Sequence, residues 1–209
     1  MKTKTRSLTL MAILIAIMLM MGFVPNLGFI MIGPVSITLM CIPVIIATLV
    51  LGLRTGMGMG ALFAIISVVK MFVMPDAFSA MVVDDFGSYG LLYILALTVP
   101  RLLIPVVTWY AGKWIHTKKD YVNHGLASLL GSLTNTAGYL LLVGAALTPL
   151  ISALYGVPEA GASGIIWTIV LTNGLPEAVF AMIVCPPITK ALKKSVRPIT
   201  APQKKETMQ

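Results

Sequence analysis

The sequence predicts an all-α integral membrane protein, a bundle of six transmembrane helices with both termini in the cytoplasm. Three observations predict it. Apolar residues make up 58% of the chain and charged residues 11%, too little charge to cover the surface of a soluble domain. No Asp, Glu, Lys or Arg occurs from Ser7 to Leu53 or from Tyr121 to Pro158, and each run exceeds the roughly 20 residues that cross a bilayer as a helix. The basic residues gather at Lys2, Lys4 and Arg6, at Arg54, at Lys113, Lys118 and Lys119, and from Lys190 to Lys205. These are the two ends and alternate loops, the distribution of cytoplasmic segments.

The elements follow from breaks in the apolar pattern. Helix 1 is expected over Leu8–Val24. It has no small-residue cleavage site near Val24, so it reads as a retained helix and not a signal peptide. Pro25, Asn26, Gly28, Gly33 and Pro34 then break the pattern into an external loop. Helix 2 is expected over Thr38–Leu53, with Leu53-Arg54-Thr55-Gly56 as an internal turn, and helix 3 over Met57–Met74. Pro75 to Gly90 reads as a longer external loop, followed by helix 4 over Leu91–Ile115, helix 5 over Val122–Leu147 and helix 6 over Ser163–Leu192. Residues 1–195 form the membrane domain and residues 196–209 a polar cytoplasmic tail. This topology puts thirteen of the fifteen Lys and Arg residues inside and four of the seven acids outside. An odd number of spans would put a strongly basic end outside.

The net charge of +8 does not call for nucleic acid, because basic residues at helix ends meet anionic lipid headgroups. Cys41 and Cys185 lie in separate apolar runs with no metal-ligand neighbour, and read as small packing residues. Trp167 and Tyr89 are expected in the outer aromatic belt, and Trp109, Tyr110 and Trp114 in the inner one. The glycines at 52, 56 and 60 have the spacing that lets membrane helices pack closely.

Enzymatic chemistry finds no footing. Gly161-Ala-Ser-Gly164 resembles the serine motif of rhomboid proteases, but a serine nucleophile needs a base within hydrogen-bond reach. His116 and His124 are both in the inner loop, a bilayer of ~30 Å away from Ser163. Gly112-Lys113 lacks the remainder of a phosphate loop, and no His-Glu-x-x-His pattern occurs. No catalytic residue, metal or cofactor is expected.

Polar residues at membrane depth are costly and are functional candidates by default. Arg101 lies ~16 Å below the outer surface at 1.5 Å per residue. Asn135 and Asn173 lie at similar depth on the next two helices, with Glu177 one turn beyond Asn173. Lys70 lies ~7 Å below the outer end of helix 3. Pro105 cannot donate to the Arg101 carbonyl, nor Pro176 to that of Thr172, so a ligand, water or side chain must meet each. A polar pocket opening outward between helices 4, 5 and 6 is expected. Lys70, Arg101 and Glu177 sum to one positive charge there, suited to a monoanionic ligand. A purely structural network, with Arg101 paired to Glu177 and the asparagines bridging helices, is the competing reading.

Several stretches resemble the substrate-binding S components of energy-coupling factor vitamin transporters. Ala12-Ile-Leu-Ile-Ala16 is similar to that family's Ala-x-x-x-Ala docking patch. Pro25-Asn-Leu-Gly-Phe-Ile30, Ile42-Pro-Val-Ile-Ile46, Gly131-Ser-Leu-Thr-Asn-Thr136 and Asn173-Gly-Leu-Pro-Glu177 are most like its pantothenate branch. The resemblance implies a multi-pass protein of a prokaryotic plasma membrane that binds a vitamin outside. It would pass the vitamin through a coupling module of one transmembrane subunit and two ATPases. It implies Arg101, Asn135, Asn173, Lys70 and Glu177 as substrate-binding residues, and Ala12 and Ala16 as the docking patch. The alternatives are an S component for riboflavin or folate, a stand-alone secondary transporter or channel, and an assembly factor without a ligand.

Overall fold

The computed structural model describes residues 2–24, 27–32 and 35–196. Helix α1 covers Lys2–Phe23 and is followed by an antiparallel hairpin, β1 (Phe29–Ile32) and β2 (Val35–Thr38), in register Phe29 to Thr38. Then come α2 (Cys41–Leu51), α3 (Leu53–Val73), α4 (Ala77–Asp84), α5 (Phe86–Trp114), α6 (Asp120–Ala146) and α7 (Thr148–Tyr155). A 3₁₀ turn at Glu159–Gly161 leads into α8 (Ala162–Ile169), a π-helical turn at Val170–Gly174, and α9 (Leu175–Val196). Pro25, Asn26, Gly33, Pro34 and the tail from Arg197 lie outside the described residues.

Among the described residues, five helical segments are long and apolar enough to cross a membrane: Thr5–Phe23, Leu53–Val73, Phe86–Trp114, Asp120–Ala146 and Glu159–Ser195. The expected second span is the short apolar helix Cys41–Leu51. The hairpin takes up the residues before it, which the sequence reading assigned to a loop and to the start of helix 2. A run of Phe, Ile, Val and Thr satisfies its backbone as well in a hairpin as in a helix, and β-branched residues favour the former. Cys41 and Pro43 to Thr48 are all buried in α2, so neighbouring helices shield it.

The connections also depart from expectation. The expected four-residue inner turn is a single residue, Gly52, at φ 96° and ψ 175°, a conformation essentially confined to glycine. Arg54 therefore sits in the first turn of α3. The stretch read as an external loop after Pro75 is mostly helical: α4 is capped by Asp76, whose side chain accepts from the Ser79 amide at 2.8 Å, and α5 starts at Phe86. That N-cap supplies an acceptor for an orphan amide at the helix start.

Two apolar clusters divide the bundle. One joins α1, α2, α3 and α9 through residues such as Met18, Val44, Ile45, Phe63 and Cys185. The other lies under α4 and α7 and includes Met71, Phe78, Val82, Leu97, Val143 and Ile151. Many large apolar side chains stay exposed, among them Ile13, Phe72, Val73, Leu91 and Leu141. Such a surface suits lipid and not water. Trp167 and Trp114 are exposed as the aromatic belts require, whereas Tyr89 packs against the second cluster.

Candidate functional site

Lys70, Arg101, Asn135, Asn173 and Glu177, picked from the sequence for their depth, all line one cavity of about 130 Å³. At roughly 10–15 Å³ for each water-sized group, it has room for a small metabolite. The helical repeat explains the convergence. Tyr93, Leu97 and Arg101 recur at four-residue steps on α5, as do Asn135 and Tyr139 on α6 and Asn173 and Glu177 across the start of α9. All seven line the cavity.

Arg101 is buried, and its Nη1 donates to the Ala96 carbonyl at 2.9 Å. Its guanidinium carbon lies 5.3 Å from the centroid of the Phe63 ring and 5.2 Å from that of Tyr139. The two rings hold the cation in place through their negative faces without neutralising it. Its Nε has no hydrogen-bond partner, and neither does Asn135 Oδ1. Buried polar groups are normally paired, because each orphan costs about 1–3 kcal/mol. A donor on Arg101 and an acceptor on Asn135 are thus left without partners in two residues that line the cavity.

Glu177 is also buried, but its carboxylate is engaged elsewhere. Oε1 accepts from the Cys41 thiol at 3.2 Å and from the Ser132 hydroxyl at 3.5 Å. No ion pair joins it to Arg101 among the described residues. Cys41, read from the sequence as a packing residue, is thus a hydrogen-bond partner as well.

The two prolines act differently from one another. At Pro176 the helix widens into the π-helical turn Val170–Gly174, where the Leu175 amide donates to the Val170 carbonyl. This turn buries Asn173 and brings Gly174 against Thr136 on α6. Such bulges absorb a missing donor in the ordinary ladder. At Pro105 the carbonyl of Arg101 lies against the α3 backbone at Gly60, where the sequence reading expected a ligand, water or side chain.

Sequence reasoning missed the tyrosines and Asp76. The Tyr93 hydroxyl lies 3.0 Å from Ser79 Oγ and 3.3 Å from the Tyr139 hydroxyl, and all three residues line the cavity with Phe78 and Tyr155. The cavity lining is therefore aromatic as well as polar. Four-residue spacing from Arg101 and Asn135 was the available signal for Tyr93 and Tyr139. Asp76 also lines the cavity, so the expected excess of one positive charge becomes a formal balance of two bases and two acids. Position, and not net charge, must then carry any preference for an anion. Ala12 and Ala16 lie away from this cavity, exposed and one turn apart on α1.

The family profile described as "ECF transporter, substrate-specific component" matches residues 6–189. A pantothenic acid transporter, PanT, of Lactococcus lactis subsp. cremoris is 30% identical over 209 residues, covering 93% of this chain and 97% of that protein. A pantothenate transporter, PanT, of Leuconostoc mesenteroides subsp. mesenteroides is 27% identical over 198 residues, covering 90% and 93%.

Proposed function

The chain belongs to the substrate-specific components of energy-coupling factor (ECF) transporters, and on that premise we propose that it captures pantothenate outside the cell and delivers it through an ATP-driven coupling module. It is a multi-pass protein of the cell membrane, and a transport protein rather than an enzyme. The observation that carries the pantothenate reading is Arg101: a buried guanidinium on the cavity wall whose Nε has no partner. Its planar fork matches a ligand carboxylate. Asn135 and Asn173 have the donors and acceptors to meet the ligand's amide and hydroxyl groups. The names borne by the two relatives point the same way.

The aromatic lining does not favour a flat ring system instead. The Tyr93 ring is inclined 58° to Phe78 and 62° to Tyr139, so these rings form no parallel slot, and Tyr139 already faces Arg101.

Six crossings with both ends in the cytoplasm form part of this reading. Arg6 Nη1 donates to the Ser195 carbonyl at 3.2 Å, so α1 begins where α9 finishes. Five crossings would separate those points by a bilayer, which supports counting the buried α2 as a sixth crossing. The partners are one transmembrane coupling subunit and two ATPases, with Ala12 and Ala16 as the docking patch, since small residues one turn apart admit a close helix. Phe78 and Ser79 on α4, and Ile151, Leu154 and Tyr155 on α7, line the cavity, and these connections are the ones that close over the ligand.

The test is to purify the chain, identify any co-eluting small molecule, and titrate it at equilibrium with pantothenate and with its alcohol analogue. Tight binding of the acid and weak binding of the alcohol are expected. Absence of binding by either removes pantothenate.

A further inference from the structure

Arg101 has a fixed neighbour on one side and an adjustable one on the other. Phe63, 5.3 Å from the guanidinium carbon, is fully buried on α3 within the first apolar cluster, and dense packing leaves such a ring no room to turn. Tyr139, 5.2 Å away on α6, is only partly buried and lines the cavity. Among the described residues the guanidinium makes one hydrogen bond, to the Ala96 carbonyl. One bond ties one corner of the plane and lets the rest swing, and ordering so long a side chain costs rotamer freedom. A ring over each face removes that freedom. Phe63 needs no further support for this task, whereas Tyr139 does.

The support is a row of hydroxyls. The Tyr139 hydroxyl lies 3.3 Å from that of Tyr93, which lies 3.0 Å from Ser79 Oγ. Tyr93 and Ser79 are both buried, so breaking either contact strands a hydroxyl away from water. Ser79 is held in turn by α4 itself, since its amide donates to the Asp76 cap. The row therefore joins α4, α5 and α6 and ends on the ring that faces Arg101. A phenylalanine at 139 would meet the cation equally well, as Phe63 does, so the link to Tyr93 is what the hydroxyl adds. We propose that Tyr139 is the positioning residue for Arg101: its ring fixes the direction of the guanidinium, and its hydroxyl makes that direction depend on α4 being seated over the cavity. The proposal rests on the carboxylate role of Arg101 for its affinity test, and on no ligand for its spectroscopic one.

The affinity test reads the ratio of affinities for pantothenate and its alcohol analogue, which general loosening lowers for both ligands alike and leaves unchanged. Tyr139→Leu removes the ring and should reduce the ratio about tenfold, the effect of a desolvated cation–π contact. Tyr139→Phe, Tyr93→Phe and Ser79→Ala each break the row and should each reduce it about threefold. Ser79→Ala with Tyr139→Phe should lose no more than either alone, because members of one network are not additive. Tyr89→Phe, in the second apolar cluster and outside the cavity, should change nothing. An unchanged ratio in Tyr139→Leu or additive losses in the double variant would overturn the proposal. A loss confined to Tyr139→Phe would mean that this hydroxyl meets the ligand directly, and would overturn the link to α4. The second readout is the arginine Nε–Hε region of a nitrogen-15 NMR spectrum of the ligand-free full chain in detergent. The chain has four arginines, and Arg101→Lys identifies the signal at issue. Lying over two ring faces, it should sit upfield of the other three, move downfield in Tyr139→Leu and broaden in Ser79→Ala. A signal unmoved in the first variant or unbroadened in the second overturns the positioning role whatever the ligand is. If the signal responds as stated while neither acid nor alcohol binds, the vitamin is wrong and the positioning role stands. If Tyr139→Leu fails to fold, the shape-conserving Tyr139→Phe and Ser79→Ala carry both readouts, and no effect in either overturns the proposal.

Discussion

A Cβ placed on Gly60 would lie 2.6 Å from the carbonyl oxygen of Arg101, so α3 and α5 meet backbone to backbone beside the buried cation of the cavity. That carbonyl is the one Pro105 leaves without its helical donor. The small residue on α3 and the proline on α5 are thus two halves of one contact, and the position of Arg101 depends on both.

Gly60→Ala is expected to push α3 from α5, because the opposing atom is backbone and cannot rotate away. Overpacking of this kind costs about 1–3 kcal/mol. The apparent melting temperature and ligand affinity should fall together. Gly58→Ala is the control: nothing lies within 4 Å of its added Cβ, and an alanine there should be neutral or mildly stabilising. Equal losses in the two variants would disprove the close-contact explanation.

Arg101→Gln removes a charge-assisted hydrogen bond worth ~1.5–3 kcal/mol, which corresponds to a loss of roughly 10- to 150-fold in affinity for pantothenate. The same change should matter little for the alcohol analogue. Arg101→Lys should recover only part of the binding, since a point charge cannot reproduce the planar fork. Isothermal titration of each purified variant with acid and alcohol reads this directly. Equal losses for both ligands would take Arg101 out of the carboxylate role.

Glu177→Gln separates a local role from an ion pair with Arg101. Its carboxylate accepts from Cys41 and Ser132, and the amide oxygen of glutamine can still accept from both. Expression and thermal stability should therefore change far less than in Arg101→Gln. Comparable damage in the two would mean that the charges depend on each other.

Ala12→Trp and Ala16→Trp should abolish uptake in cells while leaving ligand titration of the purified chain nearly unchanged. Both residues are exposed on α1, so a bulky side chain obstructs an approaching helix without disturbing the core. Normal uptake by both variants would remove the docking role from this face.

Topology is best tested at Asp84 and Lys118, both exposed. Ser79, in the same connection as Asp84, is buried against Tyr93 and would report packing instead of sidedness. An impermeant thiol reagent on intact cells should label Asp84→Cys and spare Lys118→Cys. The reverse pattern would invert the arrangement.

The membrane class, the long spans and the five polar residues of the cavity were legible in the sequence. Hydropathy accumulates along the chain, and an ionisable group at lipid depth must have a partner wherever it lies. Arg101, Asn135 and Asn173 could therefore be placed at one depth by counting residues from the helix ends. What counting cannot supply is rotation and partnership. Tyr93 and Tyr139 face the cavity because α5 and α6 pack with those sides inward. Asp76 reaches it because it caps α4, a helix that its local composition did not distinguish from a loop. Glu177 bonds Cys41 and Ser132 because the start of α2, set by the preceding hairpin, brings the thiol there. Each of these is decided by contacts between segments far apart in sequence, whereas the spans are decided by the cost of exposing a charge or an unpaired amide to lipid, a property every residue carries with it.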